Sequence, residues 1–427
     1  MVILMDHEKY VKFIDILKRE LVPALGCTEP ISVAYVAAKA REVLGAFPDK
    51  IITECSGNII KNTKSVIVPG TKNLKGIEAA TIIGAVGGDA SRELEVLESI
   101  TDEHVELTKK LMKEHICKVK LLKSKAKLHI IVTMFKGNEY ALVEAIHTHT
   151  GIVRIEKNGV KLLNIPYSEE YESNEMLYKS VLNLESIFEF ANVVNINDIE
   201  PILSKQIDYN TAIAMEGLRN KYGVNIGATL LEIYGDDVKV SAKAMAAAGS
   251  DARMSGCQLP VVINSGSGNQ GITASLPVIV YGKKMNCPME KIYRALCISN
   301  LVAIYQKSSI GRLSAYCGAV SAAAGAGAGI TYLYGGGLKE IADTITNTLA
   351  NISGIICDGA KPSCAAKIAS SVDAAIVASM MSLKGKVFAP GEGIVKEDVE
   401  KTMESVAKIA KEGMEITDEV VLKIMVD

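Results

Sequence analysis

Cysteine is the residue type whose placement in this chain most strongly suggests chemistry. The 427-residue sequence contains nine cysteines. None of them forms a C-x-x-C pair, which argues against thioredoxin-type redox sites, zinc ribbons and the usual ferredoxin spacing. In the second half, Cys317 precedes a stretch rich in Gly and Ala, and Cys357 and Cys364 flank a loop that contains Gly359 and Pro362. These three thiols could converge on one metal centre, although their spacing alone favours three packed thiols.

A fourth cysteine, Cys27, lies at the predicted start of a helix, where Gly26 precedes it and Thr28, Glu29 and Pro30 follow it. Thr28 can cap free amides, Glu29 suits the positive end of the helix dipole, and Pro30 fits an opening turn. A helix N-terminus lowers the pKa of a cysteine thiol. We therefore expect Cys27 to ionise more readily than a free cysteine.

Residues 264–271, Asn-Ser-Gly-Ser-Gly-Asn-Gln-Gly, form a glycine-rich loop. Its Gly266, Gly268 and Gly271 match the G-x-G-x-x-G pattern, but a dinucleotide site also needs a long helix after the loop. Pro277 leaves room for only about a turn and a half of helix, which disfavours a nicotinamide or flavin site. Backbone amides in glycine-rich turns form nests for anions. The sequence therefore favours a carboxylate-binding loop over an ordinary tight turn.

Two histidines, His147 and His149, are predicted to share one face of a strand. Two imidazoles so placed could bind zinc, but no adjacent Cys, Asp or Glu completes four ligands at a familiar spacing. We therefore expect solvated or hydrogen-bonded histidines. The chain also lacks the G-x-S-x-G and G-x-x-x-x-G-K-[ST] motifs, so hydrolase and P-loop functions lack their minimal signatures.

Composition and charge favour a small-molecule ligand. Apolar residues make up 48% and charged ones 22%, and 47 Lys and Arg stand against 49 Asp and Glu, so no overall field draws the chain to nucleic acid or to a membrane surface. Residues 1–10 hold too short an apolar run for a signal peptide, and we expect a cytoplasmic protein. The uncharged stretch from Leu313 to Leu338 is mostly Gly, Ala and Ser, which predicts a buried helix and not a membrane span.

Hydrophobic periodicity predicts an α+β fold in three regions. Residues 1–48 are predicted to form two helices that pack on the helical domain. Residues 49–168 contain short alternating runs and an Asn-Gly hairpin signal at 158–159, which predicts an inserted smaller α+β domain with an antiparallel sheet. The pattern of residues 169–427 predicts a mostly helical domain. The predicted strands are 126–135, 140–146, 151–156 and 160–163, and the predicted later helices are 174–191, 197–221, 289–306 and 396–412.

Five segments spread over essentially the whole chain carry a family resemblance. They are GCTEPI at 26–31, SGN at 56–58, VPGT at 68–71, SGSGN at 265–269, and CDGAK through to the cysteine at 357–364. Each motif alone is unspecific. In combination they resemble the iron-sulfur L-cysteine desulfidases, which are relatives of the catalytic α domain of iron-sulfur L-serine dehydratases.

The resemblance implies roles for four cysteines. In that family, three cysteines hold a 4Fe-4S cluster with one open iron, and a further cysteine near the N-terminus acts as the base. By local context, the ligands correspond to Cys317, Cys357 and Cys364, and the base corresponds to Cys27. The resemblance thus assigns the iron-sulfur catalytic role to the helical domain of residues 169–427. The cysteines without a role in that pattern are Cys55, Cys117, Cys257, Cys287 and Cys297.

The same resemblance implies an oxygen-sensitive lyase that converts L-cysteine and water to sulfide, ammonia and pyruvate. We expect the substrate carboxylate to meet the loop that contains Ser265, Ser267 and Asn269, with help from Ser56 and Asn58. Arg312 and Lys307 are weaker candidates, since a surface salt bridge is the default role of such residues. L-serine dehydratase activity is the alternative, since only the leaving atom differs, and a non-catalytic iron-sulfur sensor is a second alternative. The expected partner is a small amino-acid substrate, with no nucleic acid and no membrane, and a homo-oligomer is allowed.

Overall fold

The computed structural model describes residues 5–168 and 180–426. They form a body of helices joined to a six-stranded sheet, which confirms the predicted α+β class. The segment 174–179 of the helix predicted at 174–191 lies outside the described residues. The described part of that prediction forms a helix from Leu184 onward.

Two helices and a short strand open the chain. They are α1 (His7–Glu20), β1 (Pro23–Leu25) and α2 (Thr28–Leu44). The Asp6 carboxylate caps α1 by accepting a hydrogen bond from the backbone N–H of Lys9 at 3.2 Å. Phe13 of α1 is fully buried and stacks on Phe190 of the helical body, with ring centroids 4.8 Å apart. Helix α1 is thereby fixed on the helical body, whereas α2 packs mainly against the inserted region.

The inserted region contains one sheet and three helices. Its elements are β2 (Lys50–Cys55), α3 (Gly57–Thr63), α4 (Gly76–Gly87), α5 (Asp102–Lys113), β3 (Cys117–Leu121), β4 (His129–Lys136), β5 (Glu139–Ile146), β6 (Ile152–Lys157) and β7 (Val160–Asn164). The strand order is β3-β2-β4-β5-β6-β7. Strands β2 and β3 are parallel, and the other neighbours are antiparallel. The sheet is therefore mixed, because the chain between β2 and β3 forms helices that cross over it.

Turn chemistry sets the ends of these strands. The predicted hairpin turn between β6 and β7 places Asn158 and Gly159 at φ 50° and 83°, the left-handed region that this dipeptide tolerates. The pairing of β4 with β5 ends at Ile146. His147 and His149 therefore follow β5 in a turn, and they do not share a strand face as predicted.

The second half is almost entirely helical. Its elements are α6 (Leu184–Val193), α7 (Ile196–Arg219), α8 (Ile226–Tyr234), α9 (Val238–Met254), β8 (Pro260–Val262), α10 (Gly268–Lys284), α11 (Met289–Ile310), α12 (Gly318–Leu333), α13 (Leu338–Ile352), α14 (Cys364–Ser382), α15 (Val399–Lys408) and α16 (Glu415–Val426). Strand β8 pairs antiparallel with β1. This pairing brings the segment that leads to Cys27 beside the segment that leads to the 264–271 loop.

Helix α12 forms the centre of the helical body, as predicted for the uncharged Gly- and Ala-rich stretch. A Cβ added to Gly325 would lie 2.3 Å from the carbonyl oxygen of Ser299 in α11, and one added to Gly329 would lie 2.9 Å from that of Ala295. The small residues therefore allow a close approach of the two helices. Among the described residues, one helix, α14, is long and apolar enough to cross a bilayer, and more than half of it is buried inside the protein.

Helix α10 corrects one expectation from the sequence. Pro277 was expected to end the helix after the glycine-rich loop, but α10 continues through it and ends at Lys284. An internal proline costs about 3 kcal/mol in lost hydrogen bonding and steric conflict. Helix α10 is buried along most of its length and packs against α9, α11 and α12, so tertiary packing outweighs that local cost.

Candidate active site

Four helices begin at one cavity in the helical body. Cys27 immediately precedes α2, Ser267 precedes α10, Cys317 precedes α12, and Cys364 is the first residue of α14. Cys357 and Asn269 also line this cavity, and so do the two weaker candidates from the sequence, Lys307 and Arg312. Helix N-termini present free N–H groups and partial positive charge. The cavity is therefore suited to anions and to thiolates.

Chemistry, and not size, identifies this cavity as the site. The cavity is small, about 100 Å³, whereas another cavity of about 710 Å³ lies between the C-terminal ends of α2 and α4. The larger one is lined by Arg41, Glu42 and Asp89 but by no cysteine. None of the predicted site residues lines it.

Backbone pairing holds the three predicted ligands together. The N–H of Cys317 donates to the carbonyl of Ile355 at 3.1 Å, and the N–H of Cys357 donates to the carbonyl of Ala315 at 2.6 Å. Cys364 lies near the other two cysteines because the chain turns back after Cys357, and α14 begins at Cys364. The thiols are near enough that the charge of Cys357 contributes to a raised pKa at Cys317, where burial is the larger cause. The structure therefore brings Cys317 together with Cys357 and Cys364, which flank a loop much later in the sequence.

The donor set of the cavity has the chemistry that an iron-sulfur cluster requires. Within residues 5–168 and 180–426, no group of three or more His, Cys, Asp or Glu could hold one metal ion. A cluster takes its cysteines on different irons, so its thiolate ligands stand further apart than those of a single ion. Cys317, Cys357 and Cys364 are each partly exposed toward the cavity, and thiolate is the ligand that iron-sulfur clusters require. The three thiols therefore fit such a group, and their role as ligands stays a prediction.

Cys27 forms a buried pair with Glu29. Its Sγ donates a hydrogen bond to Oε2 of Glu29 at 3.1 Å. Burial raises the pKa of the Cys27 thiol well above its usual range, and the negative charge of Glu29 raises it further. The lowered pKa expected from the helix N-terminus is therefore not found, because desolvation and a neighbouring carboxylate outweigh the dipole.

Glu29 is ionised although it is buried. Burial alone would raise the pKa of its carboxyl, but interactions with His149, Cys27 and Arg253 outweigh this and lower the pKa to about 2. Asn62 of α3 also donates to Oε1 of Glu29 at 3.2 Å. The Nε2 atom of His149 lies 3.9 Å from Oε1, too far for a hydrogen bond, so His149 acts on Glu29 through space. Glu29 is thus a fixed negative charge beside the Cys27 thiol.

The five predicted substrate-binding residues separate into two groups. Ser267 and Asn269 line the cavity. Ser265 lies behind it and donates to Oδ1 of Asn264 at 2.9 Å. Ser56 and Asn58 do not line it either, and they hold α3 in place instead. Ser56 donates to the carbonyl of Lys127 at 2.8 Å, and Asn58 donates to the carboxylate of Asp418 at 3.0 Å.

Several cavity residues were missed by the sequence reasoning. Arg253, at the end of α9, is 2% exposed and lines the cavity together with Gln270 and Asn62. Arg253 resembled an ordinary basic residue in the last turn of a helix. One signal was available, because the α9 sequence around it is composed mostly of Ala, Gly and Ser. A helix of that composition is usually buried, and an arginine in it must then meet a polar site.

These features define a helical body that gathers four helix N-termini and four cysteines around one cavity, with an α+β insertion between α2 and the body. The sequence pattern of the serine dehydratase alpha chain family matches residues 91–423, and the chain belongs to that family. The predicted relationship to the serine dehydratase α domain is thereby confirmed.

Among similar curated proteins, a UPF0597 protein of Lachnoclostridium phytofermentans is 65% identical over 420 residues, which cover 98% of this chain and 100% of that protein. A UPF0597 protein of Treponema denticola is 47% identical over 426 residues, or 99% of each chain. One of Finegoldia magna is 48% identical over 420 residues, or 97% of this chain and 99% of that one. The similarity therefore extends over essentially the full length of each protein.

Proposed function

We propose that this protein is an L-cysteine desulfidase, a carbon-sulfur lyase that uses a 4Fe-4S cluster. The observation that carries the proposal is the presence of Cys27, Cys317, Cys357 and Cys364 around one cavity, although the first is far from the others in sequence. The family match supports a lyase of the serine dehydratase type. We further propose that the enzyme is cytoplasmic. We also propose that it is sensitive to oxygen, since an open iron is exposed to oxidants.

In this proposal, Cys317, Cys357 and Cys364 hold the cluster. When bound, the cluster supplies a Lewis-acidic iron that can take an oxygen, nitrogen or sulfur atom of the substrate. The N-termini of α12 and α14 lie at the cavity beside these cysteines and add partial positive charge there.

Cys27 and Glu29 move the substrate proton in this scheme. The Sγ proton of Cys27 already points to Glu29, so Sγ can accept a further proton only after its own passes to Oε2. Because the pKa of Glu29 is lowered and that of Cys27 is raised, this transfer is unfavourable on its own. We propose that it occurs only in concert with removal of the α-proton of L-cysteine by Sγ. Asn62 holds the Glu29 carboxylate in position through its hydrogen bond to Oε1. A positioned base of this kind typically contributes about 10² to 10⁴ in rate.

The loop before α10 stabilises the charge that develops when the α-proton leaves. That charge spreads into the substrate carboxylate, and Ser267, Asn269 and the free N–H groups at the start of α10 lie on the same cavity wall. Loss of hydrosulfide then gives 2-aminoacrylate. This enamine tautomerises to an imine, and water hydrolyses the imine to pyruvate and ammonia. In this proposal, Ser56 and Asn58 are positioning residues: they hold α3 in place, and α3 carries Asn62.

The runner-up is L-serine dehydratase activity, which the name of the matching family favours. The same residues would remove the α-proton, and hydroxide would leave in place of hydrosulfide. A non-catalytic iron-sulfur sensor is the remaining alternative.

One anaerobic experiment separates these functions. The protein is reconstituted with iron and sulfide, and sulfide release from L-cysteine is compared with pyruvate release from L-serine. We expect the larger kcat/KM with L-cysteine. A larger value with L-serine would replace the proposal by dehydratase activity. A bound cluster with neither product released would leave the sensor function.

A further inference from the structure

Arg253 places a buried positive charge on the cavity wall and, among the described residues, forms no ion pair, although its charge helps to lower the pKa of Glu29 through space. Its side chain is 2% exposed. Nη1 donates to Oδ1 of Asn269 at 3.1 Å, and Nε is buried without a hydrogen-bond acceptor. Among the residues that the structure describes, no carboxylate forms an ion pair with this guanidinium. Buried charges in proteins are normally paired, since an isolated one loses its hydration without compensation.

The surroundings of Arg253 favour an anion at this end of the cavity. A Cβ added to Gly268, the first residue of α10, would lie 2.2 Å from Nε and 2.7 Å from Cζ of Arg253. The guanidinium therefore lies against the positive end of the α10 dipole, where a cation is unfavourable and an anion is favoured. The nearby carboxylate of Glu29 already accepts hydrogen bonds from Cys27 and Asn62. Arg253 and the start of α10 are thus two positive groups that line the same cavity.

The same cavity also contains an unsatisfied acceptor. The Oε1 atom of Gln270 is buried and has no hydrogen-bond donor, and its residue is 5% exposed. Gln270 lies in the first turn of α10 and lines the cavity with Arg253. A ligand that satisfies both groups must carry an anion that accepts from a guanidinium and a donor for an amide oxygen. The zwitterion of an α-amino acid carries both, one bond on either side of Cα.

We propose that Arg253 and Gln270 form a recognition site for the α-amino acid group, in which Arg253 binds the α-carboxylate and Gln270 Oε1 accepts from the α-ammonium. This inference rests on the proposed function only in taking the ligand to be an amino acid. It is independent of the leaving group. Asn269 holds the guanidinium toward the cavity through its hydrogen bond to Nη1. A short side chain suits the small cavity volume, so the site selects for small α-amino acids.

The test uses binding of L-alanine, which has both charged groups but no leaving group, to the anaerobically reconstituted holoenzyme. Ethylamine lacks the carboxylate and propionate lacks the ammonium, so the two probe the groups separately. By calorimetry we expect Arg253→Gln to weaken L-alanine binding by about 10- to 100-fold, as loss of a hydrogen bond to a charged group does. Ethylamine binding should not change. Gln270→Leu should weaken L-alanine binding and leave propionate binding unchanged. Arg92→Gln, an exposed arginine on the surface, is the matched control.

Thermal unfolding keeps the inference testable if a variant is unstable. Because Arg253 is an unpaired buried cation, Arg253→Gln should not lower the Tm of the ligand-free protein. L-Alanine should raise the Tm of the wild type and of Arg253→Lys but not that of Arg253→Gln. A large fall in the Tm of Arg253→Gln without ligand would make Arg253 a structural residue and overturn the inference.

The outcomes separate this inference from the proposed function. If Arg253→Gln binds L-alanine as the wild type does, or the wild type does not bind it, the recognition site is refuted even where L-cysteine is turned over. If L-alanine binds through Arg253 and neither sulfide nor pyruvate is released from L-cysteine or L-serine, the recognition site stands and the proposed function fails.

Discussion

The Sγ atom of Cys27 lies 3.1 Å from Oε2 of Glu29 and donates a hydrogen bond to it inside the protein. Cys27 immediately precedes α2 and Glu29 lies in its first turn, and the carboxylate is held by a separate donor, Asn62 of α3. A thiol so placed has a proton acceptor built beside it. We therefore expect proton transfer at Cys27 to depend on Glu29 and not, as the sequence suggested, on the dipole of α2.

Replacement of Glu29 by Gln tests this pair. The amide keeps the shape but accepts a proton far less readily, so we expect kcat for sulfide release to fall by about 10² to 10⁴, with a smaller change in KM. The deuterium isotope effect with α-deuterated L-cysteine should increase, because proton transfer becomes more limiting. Glu42→Gln, on the exposed face of the same helix, is the control. An unchanged kcat in Glu29→Gln with an unchanged cluster spectrum would remove Glu29 from the reaction.

Replacement of a predicted cluster ligand has a direct spectroscopic readout. We expect Cys357→Ala to lose most of the brown visible absorbance and of the bound iron after anaerobic reconstitution, because one of three thiolates is missing. Cys297→Ala is the matched control, since Cys297 is fully buried in α11 and does not line the cavity. Full iron retention in Cys357→Ala would take Cys357 out of the ligand set.

Local sequence patterns predicted most helices and strands well. They could not predict contacts between segments that are far apart in sequence. The Asn158-Gly159 turn was predictable because two residues decide its conformation. The strand pairing of β1 with β8, which brings Cys27 beside the 264–271 loop, has no local signature. Pro277 was misjudged because its cost is local whereas the packing that offsets it comes from other helices. The cavity cysteines came from a family resemblance, since their spacing alone left packed thiols as an alternative.

The charges of the cavity were the least predictable part. The sequence indicated a helix N-terminus at Cys27 and hence a lowered pKa, but the actual direction depends on burial and on Glu29. Arg253 could not be assigned to the cavity until α9 and α10 were seen side by side. Single-sequence reasoning describes the dipole of one helix, whereas the pKa of a group and the need for a counter-ion depend on every element around it.

Asp251 should make stability depend on pH. Burial raises the pKa of its carboxyl to about 6, whereas an unfolded Asp titrates near about 3.9. The folded state therefore binds the proton more tightly, and the free energy of unfolding falls as pH rises from about 4 to about 6. Between pH 5 and pH 7.5 this group should cost about 1 kcal/mol. In Asp251→Asn this loss is absent, so the variant should gain stability relative to the wild type by that amount over the same pH range.

Urea unfolding at the two pH values measures the effect of Asp251. Asp236→Asn, on an exposed loop, is the control and should follow the wild type. An equal difference between Asp251→Asn and the wild type at both pH values would contradict the raised pKa. Asp251 also accepts a hydrogen bond from the N–H of Gly227 at 3.3 Å, which Asn can still accept, so the pH-independent change should be small.

A buried ion pair couples the C-terminal helix to the cavity. Lys61 of α3 and Asp418 of α16 form a salt bridge with side chains only 1% and 8% exposed. Asp418→Asn leaves the Lys61 ammonium buried without its counter-charge, which typically costs about 3 to 5 kcal/mol. Because α3 also carries Asn62, the donor to Glu29, we expect kcat to fall together with stability.

The double variant Lys61→Met with Asp418→Leu distinguishes charge from packing. Replacing both partners of a buried pair by apolar residues is often neutral or stabilising, so unfolding in urea should return close to the wild type. If α3 then recovers its position, kcat should recover as well, although neither residue lines the cavity. A double variant as unstable as Asp418→Asn would mean that α16 is held by contacts other than this pair. Recovery of stability without recovery of kcat would mean that the ion pair contributes to folding but does not position Asn62.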